Sequence, residues 1–536
     1  MRSTHRRGRY PYRLPGRQFI KSNYLQYLNI IMSNFFSTLH EQIRASADRI
    51  FLELEDQPSI TYGEADRTCA RVANRLAALG LKSGDRVTVQ VEKSAQVVIL
   101  YLACLRSGLI FHPLNTAYTL HELEHFFDDA QPSLVVCRPG IADNVRLLAK
   151  RFDIQHVETL DVDGSGSLWD QVLDQSDEFA VAERSGDDAA LLIYTSGTTG
   201  RPKGAMVTHR NLQSNLLALM EFWHWTAQDV LLHVLPVFHV HGLCPALHCP
   251  IMGGSKILFR NRFSVNETMR LIPCASVLMA VPTVYGRLLS DDRLTGELCQ
   301  DIRIFVSGSA PLLPETAHEF ERRTGHRIIE RYGMSEGQMI SSNPILGERR
   351  IGTVGLALPG VRLRICDDSG EPLDHGEVGM VEVSGPNVFR GYWRNPAATE
   401  RVFREDGYFV TGDLGTIDEN GYLSIVGRES DLIISAGFNI YPKEVEMQLN
   451  RIAGVVDSAV FAVPHPDLGE AVFATVVKEM NAVITADDIV AAIRDRLSSF
   501  KIPKTIEFVD ELPRNAMGKV EKKRLRLRYQ SAFNTQ

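Results

Sequence analysis

Several features that would define a function class are absent from this chain. It has no apolar run near the roughly 18 residues that a membrane-spanning helix needs. None of its eight cysteines forms a CxxC pair, which predicts reduced, mostly buried thiols without a disulfide framework or a zinc site. Lysine and arginine number 58 against 65 aspartate and glutamate, a net charge of −7. That balance argues against nucleic acid as the main partner, although a local basic patch stays possible.

The first 31 residues lack acidic side chains altogether, and the first acid is Glu41. Six arginines and Lys21 lie in the same segment. This composition fits an organellar targeting segment, a disordered tail or a start site assigned too far upstream, and we favour the last two. We therefore expect a cytoplasmic protein, with organellar import only if residues 1–31 are genuine.

Short apolar strands alternate with helical stretches from Phe51 onward. This alternation is typical of an α/β fold with layered, mainly parallel sheets. With 536 residues, two to four domains or subdomains are expected. The segments predicted to contain strands are RVTVQVE (86–92), FHPLN (111–115), SLVVC (133–137), ALLIYTS (190–196), DVLLHVLP (229–236), SKILF (255–259), SVLMAVPTVYGRLL (276–289) and IRIFVSGSAPL (302–312).

The pattern changes after about Pro359, where short strands are separated by Asp-Gly or Gly turns. This predicts a small β-rich subdomain of hairpins. After Arg428, about 100 residues of α+β pattern are enough for a separate C-terminal domain, with Thr485 as an N-cap. The predicted division is a basic extension over 1–31, a large N-terminal domain over 32–428 and a small, mobile C-terminal domain over 429–536.

The segment YTSGTTGRPKG (194–204) follows a strand and combines glycines with hydroxyls. Glycines let backbone N–H groups approach an anion closely, hydroxyls add donors, and Lys203 adds a positive charge. This chemistry predicts a phosphate-binding loop. It differs from a Walker A loop, because a glycine follows Lys203 where that motif has Ser or Thr.

Four further motifs each supply a polar group suited to a nucleotide. RYGMSE (331–336) ends in Glu336, whose carboxylate suits Mg²⁺, since that hard ion prefers oxygen ligands. YFVTGD (408–413) ends in Asp413, suited to accept hydrogen bonds from ribose hydroxyls. GRESDLIISAGFNIYP (427–442) offers Arg428 as a phosphate or ribose ligand and Gly437 as a flexible point. PRNAMGKV (513–520) places Lys519 in a loop; taken alone, each of these residues could be an ordinary surface group.

Together, in this order, the five motifs resemble those of the adenylate-forming superfamily, which includes acyl-CoA synthetases, adenylation domains and firefly luciferase. The resemblance covers about residue 33 to the end. It implies that a carboxylate attacks the α-phosphate of Mg·ATP, giving an acyl-adenylate and pyrophosphate, and that a thiol then displaces AMP. It also implies a C-terminal domain that rotates between the two steps, with a hinge at Ser430.

The resemblance implies a role for each matched residue. Lys519 would bridge the acid and the α-phosphate, Asp413 and Arg428 would hold the ribose, and Gly437 would face the thiol step. The metal ligands would be Thr195 and Glu336. The phosphates would be held by Thr195, Ser196, Gly197, Thr198, Thr199, Gly200 and Lys203, and the adenine framed by Gly308, Ser309, Ala310, Pro311, Glu330, Arg331, Tyr332, Gly333, Met334 and Ser335.

For the acid, the strings SVLMAVPTVYGRLL, RYGMSEGQM and GPNVFRGYW resemble those of malonyl-CoA synthetases, which implies malonate or methylmalonate. Arg287 would bind the distal carboxylate if it points inward; on the wet side of its helix it would have no such role. His239 and His241 would line the pocket, His239 close to the reacting atoms, together with Ser309 and Met339. Gly337 and His224 depart from the pattern of this subfamily.

Alternative functions follow from the same motifs. One is a CoA ligase for another short, fatty or coumarate-type acid. Another is an adenylation enzyme that loads a carrier protein, whose arm ends in the same thiol as CoA. A third is a non-catalytic binding relative, which the presence of Glu336, Asp413 and Lys519 disfavours. The basic C-terminal end, with Lys519, Lys522 and Lys523, fits the anionic phosphates of CoA.

Overall fold

The computed structural model describes residues 33–195, 202–435, 438–515 and 518–533. The predicted α/β class is confirmed, with a large N-terminal domain and a small C-terminal domain. The helices are Phe35–Ala45, Tyr62–Ala78, Ala95–Arg106, Leu120–Ala130, Ala142–Lys150, His209–Phe222, Val240–Leu243, Pro245–Gly253, Val265–Leu271, Pro282–Leu289, Pro314–Thr324, Pro396–Glu400, Pro442–Leu449, Ala486–Ile493 and Lys522–Tyr529.

Two mainly parallel sheets form the bulk of the N-terminal domain. Within the described ranges, the first has nine strands in the spatial order Leu356–Ala357, Gln338–Ser342, Ile329–Met334, Ile304–Ser307, Val277–Ala280, Val230–His233, Lys256–Phe259, Ile50–Glu53 and Ile60–Thr61. The second has six, in the order His156–Thr159, Leu134–Cys137, Arg86–Gln90, Ile110–Pro113, Ala189–Thr195 and Lys203–Thr208. Strands such as Val277–Ala280 are buried along their whole length, as expected where helices cover both faces of a sheet.

Two smaller sheets follow in the described residues, the first of them where the Asp-Gly and Gly turns after Pro359 predict a β-rich subdomain. One is antiparallel and contains Arg362–Cys366, Gly379–Ser384, Phe409–Ile417 and Leu423–Arg428. The other belongs to the C-terminal domain and contains Phe438–Ile440, Ile433–Ser435, Gly469–Lys478, Val455–His465 and Thr505–Phe508.

Local sequence signals account for many element boundaries. Thr61, Thr119 and Thr485 each begin a helix with a capping box, in which the hydroxyl accepts from the third helical N–H. Gly254 and Gly325 end helices in the left-handed conformation that glycine adopts without steric cost. The predicted N-cap at Thr485 is thus confirmed.

The hydrophobic cores follow the division into domains. The largest core packs between the two mainly parallel sheets, where the Ala95–Arg106 helix is buried on all sides. The C-terminal domain has cores of its own, one of them built around Ile433, Val460 and Ile489. All eight cysteines are free and all but Cys274 are buried, in line with the sequence expectation. No helix in the described part of the chain is long and apolar enough to cross a membrane.

Candidate active site

The candidate site lies at the carboxyl ends of adjacent parallel strands in the nine-stranded sheet. Four neighbouring strands of this sheet run parallel; they are Ile329–Met334, Ile304–Ser307, Val277–Ala280 and Val230–His233. In sheets of this type, ligands bind in the crevice beyond the carboxyl ends of the strands. The segments that follow these strands carry the predicted pocket residues, which is why positions far apart in sequence converge here.

The predicted metal ligands lie in direct contact. Thr195 Oγ1 donates to Glu336 Oε1 at 2.9 Å, across 141 positions of sequence. Tyr392 Oη donates to the same carboxylate oxygen at 3.1 Å, and Lys203 Nζ lies 4.8 Å from the centre of the Tyr392 ring. Tyr392 therefore contacts both Glu336 and Lys203. The string around it, GPNVFRGYW, belongs to the family resemblance, but no role was predicted for the tyrosine itself.

The Glu336 carboxylate is buried and contacts two hydroxyl groups, those of Thr195 and Tyr392. Within the described residues, no group of three or more His, Cys, Asp or Glu side chains forms a metal cluster. A carboxylate beside a threonine hydroxyl fits Mg²⁺, which takes one or two protein oxygens and completes its shell with water and phosphate oxygens.

The predicted ribose pair is also formed. Arg428 Nε lies 2.9 Å from Asp413 Oδ1, and Tyr332 Oη donates to Asp413 Oδ2 at 2.5 Å. The two charged residues are directly paired across the antiparallel strands Phe409–Ile417 and Leu423–Arg428. The Asp413 carboxylate raises the pKa of Arg428, so this guanidinium stays charged.

The residues expected to frame the adenine fall into two groups. Gly308, Ser309, Ala310 and Pro311 form the loop after Ile304–Ser307, and Ser309 has a left-handed backbone (φ 71°). The others belong to the strand Ile329–Met334 and the turn after it; they are Glu330, Arg331, Tyr332, Gly333, Met334 and Ser335. Glu330 accepts from the Gly352 N–H at 2.9 Å, and burial raises its pKa to about 7.

Arg331 is the most unusual member of that strand. Its guanidinium packs against Gly308 so closely that a Cβ there would lie 2.2 Å from Arg331 Nε. Nη2 donates to Ser309 Oγ at 3.2 Å, whereas the buried Nε has no hydrogen-bond partner in the part of the chain that the structure describes. Among the described residues, no carboxylate pairs with it, and burial lowers its pKa to about 9. A buried cation without an anion is costly unless a ligand supplies the charge.

Two histidines lie beside this guanidinium. His241 Nδ1 is 3.4 Å from Ser309 Oγ, and its buried Nε2 has no hydrogen-bond partner in the described residues. His239 accepts from the His241 N–H through Nδ1 at 3.3 Å. Burial, with Lys519 and Arg331 nearby, lowers the pKa of His239 to about 3, and burial lowers that of His241 well below its ordinary value. Both rings are therefore neutral near pH 7.

Two residues predicted to contact the acid lie at different depths. Met339 is buried, and its backbone exchanges hydrogen bonds with the Asn215 side chain. Arg287 is exposed, so of the two positions left open for it the structure gives the solvent-facing one. It lies one turn after Thr283 on the Pro282–Leu289 helix, and a Cβ on Gly518 would meet Thr283 at 3.0 Å. Arg287 thus shares the helix face that borders the Lys519 loop.

Lys519 reaches the same crevice from the C-terminal domain. Its pKa is lowered by desolvation and by the positive charge of Arg428, while Asp413 and Glu336 act in the opposite direction. Because part of Lys519 stays accessible to water, this desolvation is incomplete. Ser196, Gly197, Thr198, Thr199, Gly200 and Gly437 lie outside the described residues.

Comparisons with known proteins identify the family. The sequence profile of the AMP-binding enzymes matches residues 39–393, and that of the AMP-binding enzyme C-terminal domain matches residues 444–519. The chain is 33% identical to a malonate–CoA ligase of Arabidopsis thaliana, over 95% of this chain and 91% of that protein. It is also 34% identical to a feruloyl-CoA synthase of an Amycolatopsis species, over 88% of this chain and 94% of that protein.

Among solved structures, the chain is similar to ATP-bound MatB of Rhodopseudomonas palustris. The TM-score is 0.91 at 47% identity, covering 93% of this chain and 99% of that one. Against apo MatB of the same organism, with the same identity and coverage, the TM-score is 0.80. Since the sequence identity is the same in both comparisons, the two TM-scores differ because the two MatB structures differ in conformation. The structure of this chain superposes better on the ATP-bound conformation.

Proposed function

Because the chain belongs to the AMP-binding enzymes, we propose that it ligates malonate to CoA through a malonyl-adenylate. ATP is consumed, and AMP and pyrophosphate are released. Methylmalonate is the alternative acid for the same pocket. The observation that carries the choice of acid is the buried guanidinium of Arg331, which has no ion pair among the described residues and lies beside two neutral histidines.

A dicarboxylate explains this guanidinium better than a monocarboxylate does. One carboxylate must reach the α-phosphate near Lys519, so only a second one remains to pair with Arg331. The Arg331 Nε–H and the His241 Nε2 atom are both without a partner in the described part of the pocket. A carboxylate accepts from several donors at once, and charge-assisted bonds of this kind are about twice as strong as neutral ones. An aliphatic or aromatic acid would leave the cation unpaired.

Arg287 gives weaker support to the same choice. Its face of the Pro282–Leu289 helix borders the Lys519 loop, so its guanidinium adds positive charge at the edge of the crevice. Because Arg287 is exposed, water screens that charge. We therefore propose Arg331 as the main contact of the second carboxylate and Arg287 as an auxiliary cation during entry and binding.

The physical problem of the first step is to bring a carboxylate to a polyphosphate. In the proposed arrangement Lys519 lies between the two anions, and Arg428 is fixed against Asp413 on the ribose side. Positioned cations lower the repulsion and orient the attacking oxygen in line, so that no protein nucleophile is needed. His239 stays neutral and lines the path of the reacting carboxylate. Because it carries no charge, it does not hold the carboxylate away from Lys519 as an ion-pair partner would.

We propose that Thr195 and Glu336 hold Mg²⁺ with the ATP phosphates. When bound, the ion neutralises phosphate charge and orients the leaving pyrophosphate. Tyr392 keeps the Glu336 carboxylate in place through its hydroxyl and covers Lys203 with its ring.

For the second step, we propose that the C-terminal domain, residues 429–536, rotates about Ser430 and presents a CoA tunnel to the adenylate. In the present arrangement Arg526 donates to the Ser430 carbonyl at 3.1 Å and pairs with Asp431 at 2.8 Å. The Asp431 contact lies within the C-terminal domain and would move with it, whereas the Ser430 contact lies at the proposed hinge. CoA is the proposed thiol, and a carrier protein is the competing acceptor.

A substrate screen tests the whole proposal. Pyrophosphate release is measured with malonate, methylmalonate, acetate, butyrate, coumarate and ferulate, each with and without CoA. We expect rapid, CoA-dependent release with malonate and methylmalonate and slow release with the others. Rapid turnover of ferulate or coumarate with no response to malonate would replace the dicarboxylate by an aromatic acid, and turnover that needs a carrier protein would replace CoA.

A further inference from the structure

The phosphate loop has two fixed ends in the described part of the chain. It joins the antiparallel strands Ala189–Thr195 and Lys203–Thr208, in which Tyr194 pairs with Gly204 and Thr195 with Lys203. The hairpin fixes the two strands relative to each other. It does not by itself fix where Thr195 and Lys203 lie relative to the rest of the site.

One helix contacts both ends of this loop. On the Leu120–Ala130 helix, His125 Nε2 lies 2.8 Å from the carbonyl oxygen of Pro202, the first described residue after the loop. One turn later, the Asp129 carboxylate accepts from the hydroxyl of Tyr194, immediately before the loop. Since a carbonyl only accepts, the His125 Nε2 atom carries the proton in this contact.

The surroundings reinforce both contacts. The Tyr194 ring meets Phe126 edge-on at 4.9 Å and His125 edge-on at 6.0 Å. Burial and the Asp129 carboxylate raise the pKa of Tyr194, so the phenol keeps its proton and remains a donor. A side chain at Gly204 would collide with this ring, because a Cβ there would lie 3.1 Å from it.

A third contact ties the helix to the return strand. Trp393 Nε1 donates to the Asp129 carbonyl at 3.1 Å, and the Trp393 backbone N–H donates to the Gly204 carbonyl at 2.7 Å. The next residue back, Tyr392, holds Glu336 and Lys203 in the site. The helix is therefore connected to the loop root and to the segment that orders the candidate metal ligand.

We propose that the Leu120–Ala130 helix positions the two described ends of the phosphate loop, with Asp129 acting on Thr195 through Tyr194 and His125 acting on Lys203 through Pro202. A backbone that is free at these two ends loses conformational entropy when Thr195 and Lys203 contact a nucleotide. Fixing both ends in advance reduces that loss, and the gain falls on ATP and pyrophosphate rather than on the acid. The inference depends on the phosphate role proposed above for the loop.

The test compares His125→Ala with His121→Ala, a variant at an exposed residue one turn earlier on the same helix. Loss of the Pro202 contact should raise KM for ATP about three- to tenfold, the usual worth of one such hydrogen bond. His121→Ala should leave that KM within about twofold of the wild type, and both variants should keep KM for malonate. His125→Gln, whose amide can donate to the same carbonyl, should recover most of the loss.

The entry contact is tested in the same way. Asp129→Ala should raise KM for ATP. Asp129→Asn should raise it less, because the amide oxygen can still accept from Tyr194. Asp128→Ala is the matched exposed control. Thermal unfolding of each variant separates loop positioning from loss of the fold. A melting temperature near that of the controls together with a selective rise in KM for ATP supports the proposal. Equal changes in KM for both substrates, or no change, would refute it.

Lys203→Ala distinguishes this inference from the proposal on which it depends. If Lys203→Ala weakens ATP binding and His125→Ala and Asp129→Ala do not, the loop binds phosphate but the helix does not position it. If Lys203→Ala also leaves ATP binding unchanged, the phosphate role of the loop is wrong and the inference is refuted with it.

Discussion

Replacing Arg331 by methionine tests the choice of acid most sharply. The two side chains have similar length, so the substitution would keep most of the packing against Gly308 while removing the charge. We choose this residue because it is buried, lacks an ion pair in the described residues and leaves Nε without a partner. Each of these properties would be satisfied by a substrate carboxylate.

The expected magnitude follows from the burial of the group. Removing one partner of a buried, charge-assisted contact costs about 2–4 kcal/mol. That range corresponds to a loss of about 30- to 1,000-fold in kcat/KM for malonate. Acetate and butyrate make no such contact, so their kcat/KM should stay level or rise, because the unpaired buried charge is gone.

The assay is the initial rate of acyl-CoA formation with each acid at saturating ATP and CoA. Arg322→Met is the matched control, since Arg322 is exposed and pairs with Glu319 on its own helix. Arg331→Lys should be intermediate, because lysine keeps the charge but not the planar fork. If Arg331→Met leaves the ratio of kcat/KM for malonate to kcat/KM for acetate as it is in the wild type, the guanidinium does not bind the second carboxylate.

Three further substitutions test other parts of the site. Gly308→Ala places a methyl group on the Arg331 guanidinium and should raise KM for malonate about tenfold, whereas Gly140→Ala, in open space, should not; equal KM values would show that Arg331 can move aside. Lys519→Ala should lower the rate of pyrophosphate release about 100- to 1,000-fold without a change in melting temperature, and an unchanged rate would remove its role in adenylation. Glu336→Gln should raise the Mg²⁺ concentration for half-maximal activity about tenfold or more in a metal titration, and an unshifted titration would place the ion elsewhere.

The motifs predicted which groups form the site but not how they touch. Thr195 and Glu336 were both assigned to the metal, yet their direct contact spans 141 positions and depends on the packing of two sheets. The contact between Asp413 and Arg428 is easier to predict from the sequence, because the two residues flank a hairpin-rich segment and pair across neighbouring strands. Tyr392 had no assigned role, since a tyrosine near a Gly-rich turn does not reveal which carboxylate its hydroxyl will reach.

Arg331 shows what strand geometry adds to motif matching. The motif assigned it to the adenine together with its neighbours Glu330 and Tyr332. Successive side chains in a strand point to opposite faces, so Arg331 faces away from Tyr332, which reaches Asp413. Applying that alternation to RYGMSE would have placed Arg331 on the face opposite to Tyr332, without showing what lies there. Its close fit to Gly308 could not be predicted, because it depends on the neighbouring strand.

Arg287 is a residue whose orientation the sequence pattern could not predict. The sequence placed it on a helix after Val284, and the helix Pro282–Leu289 is confirmed, but periodicity alone did not decide between the pocket and solvent. The position of the Lys519 loop decides which face borders the crevice, and that loop belongs to another domain. The contacts of the Leu120–Ala130 helix with the phosphate loop were missed for the same reason, as no local signal links them.

A competition experiment tests the central claim most directly. The enzyme is incubated with ATP, Mg²⁺, limiting CoA and equal concentrations of malonate, acetate and ferulate, and the acyl-CoA products and nucleotides are measured by mass spectrometry. We predict malonyl-CoA as the main product, with one AMP formed for each acyl-CoA. Feruloyl-CoA or acetyl-CoA as the main product, or ADP in place of AMP, would contradict the account.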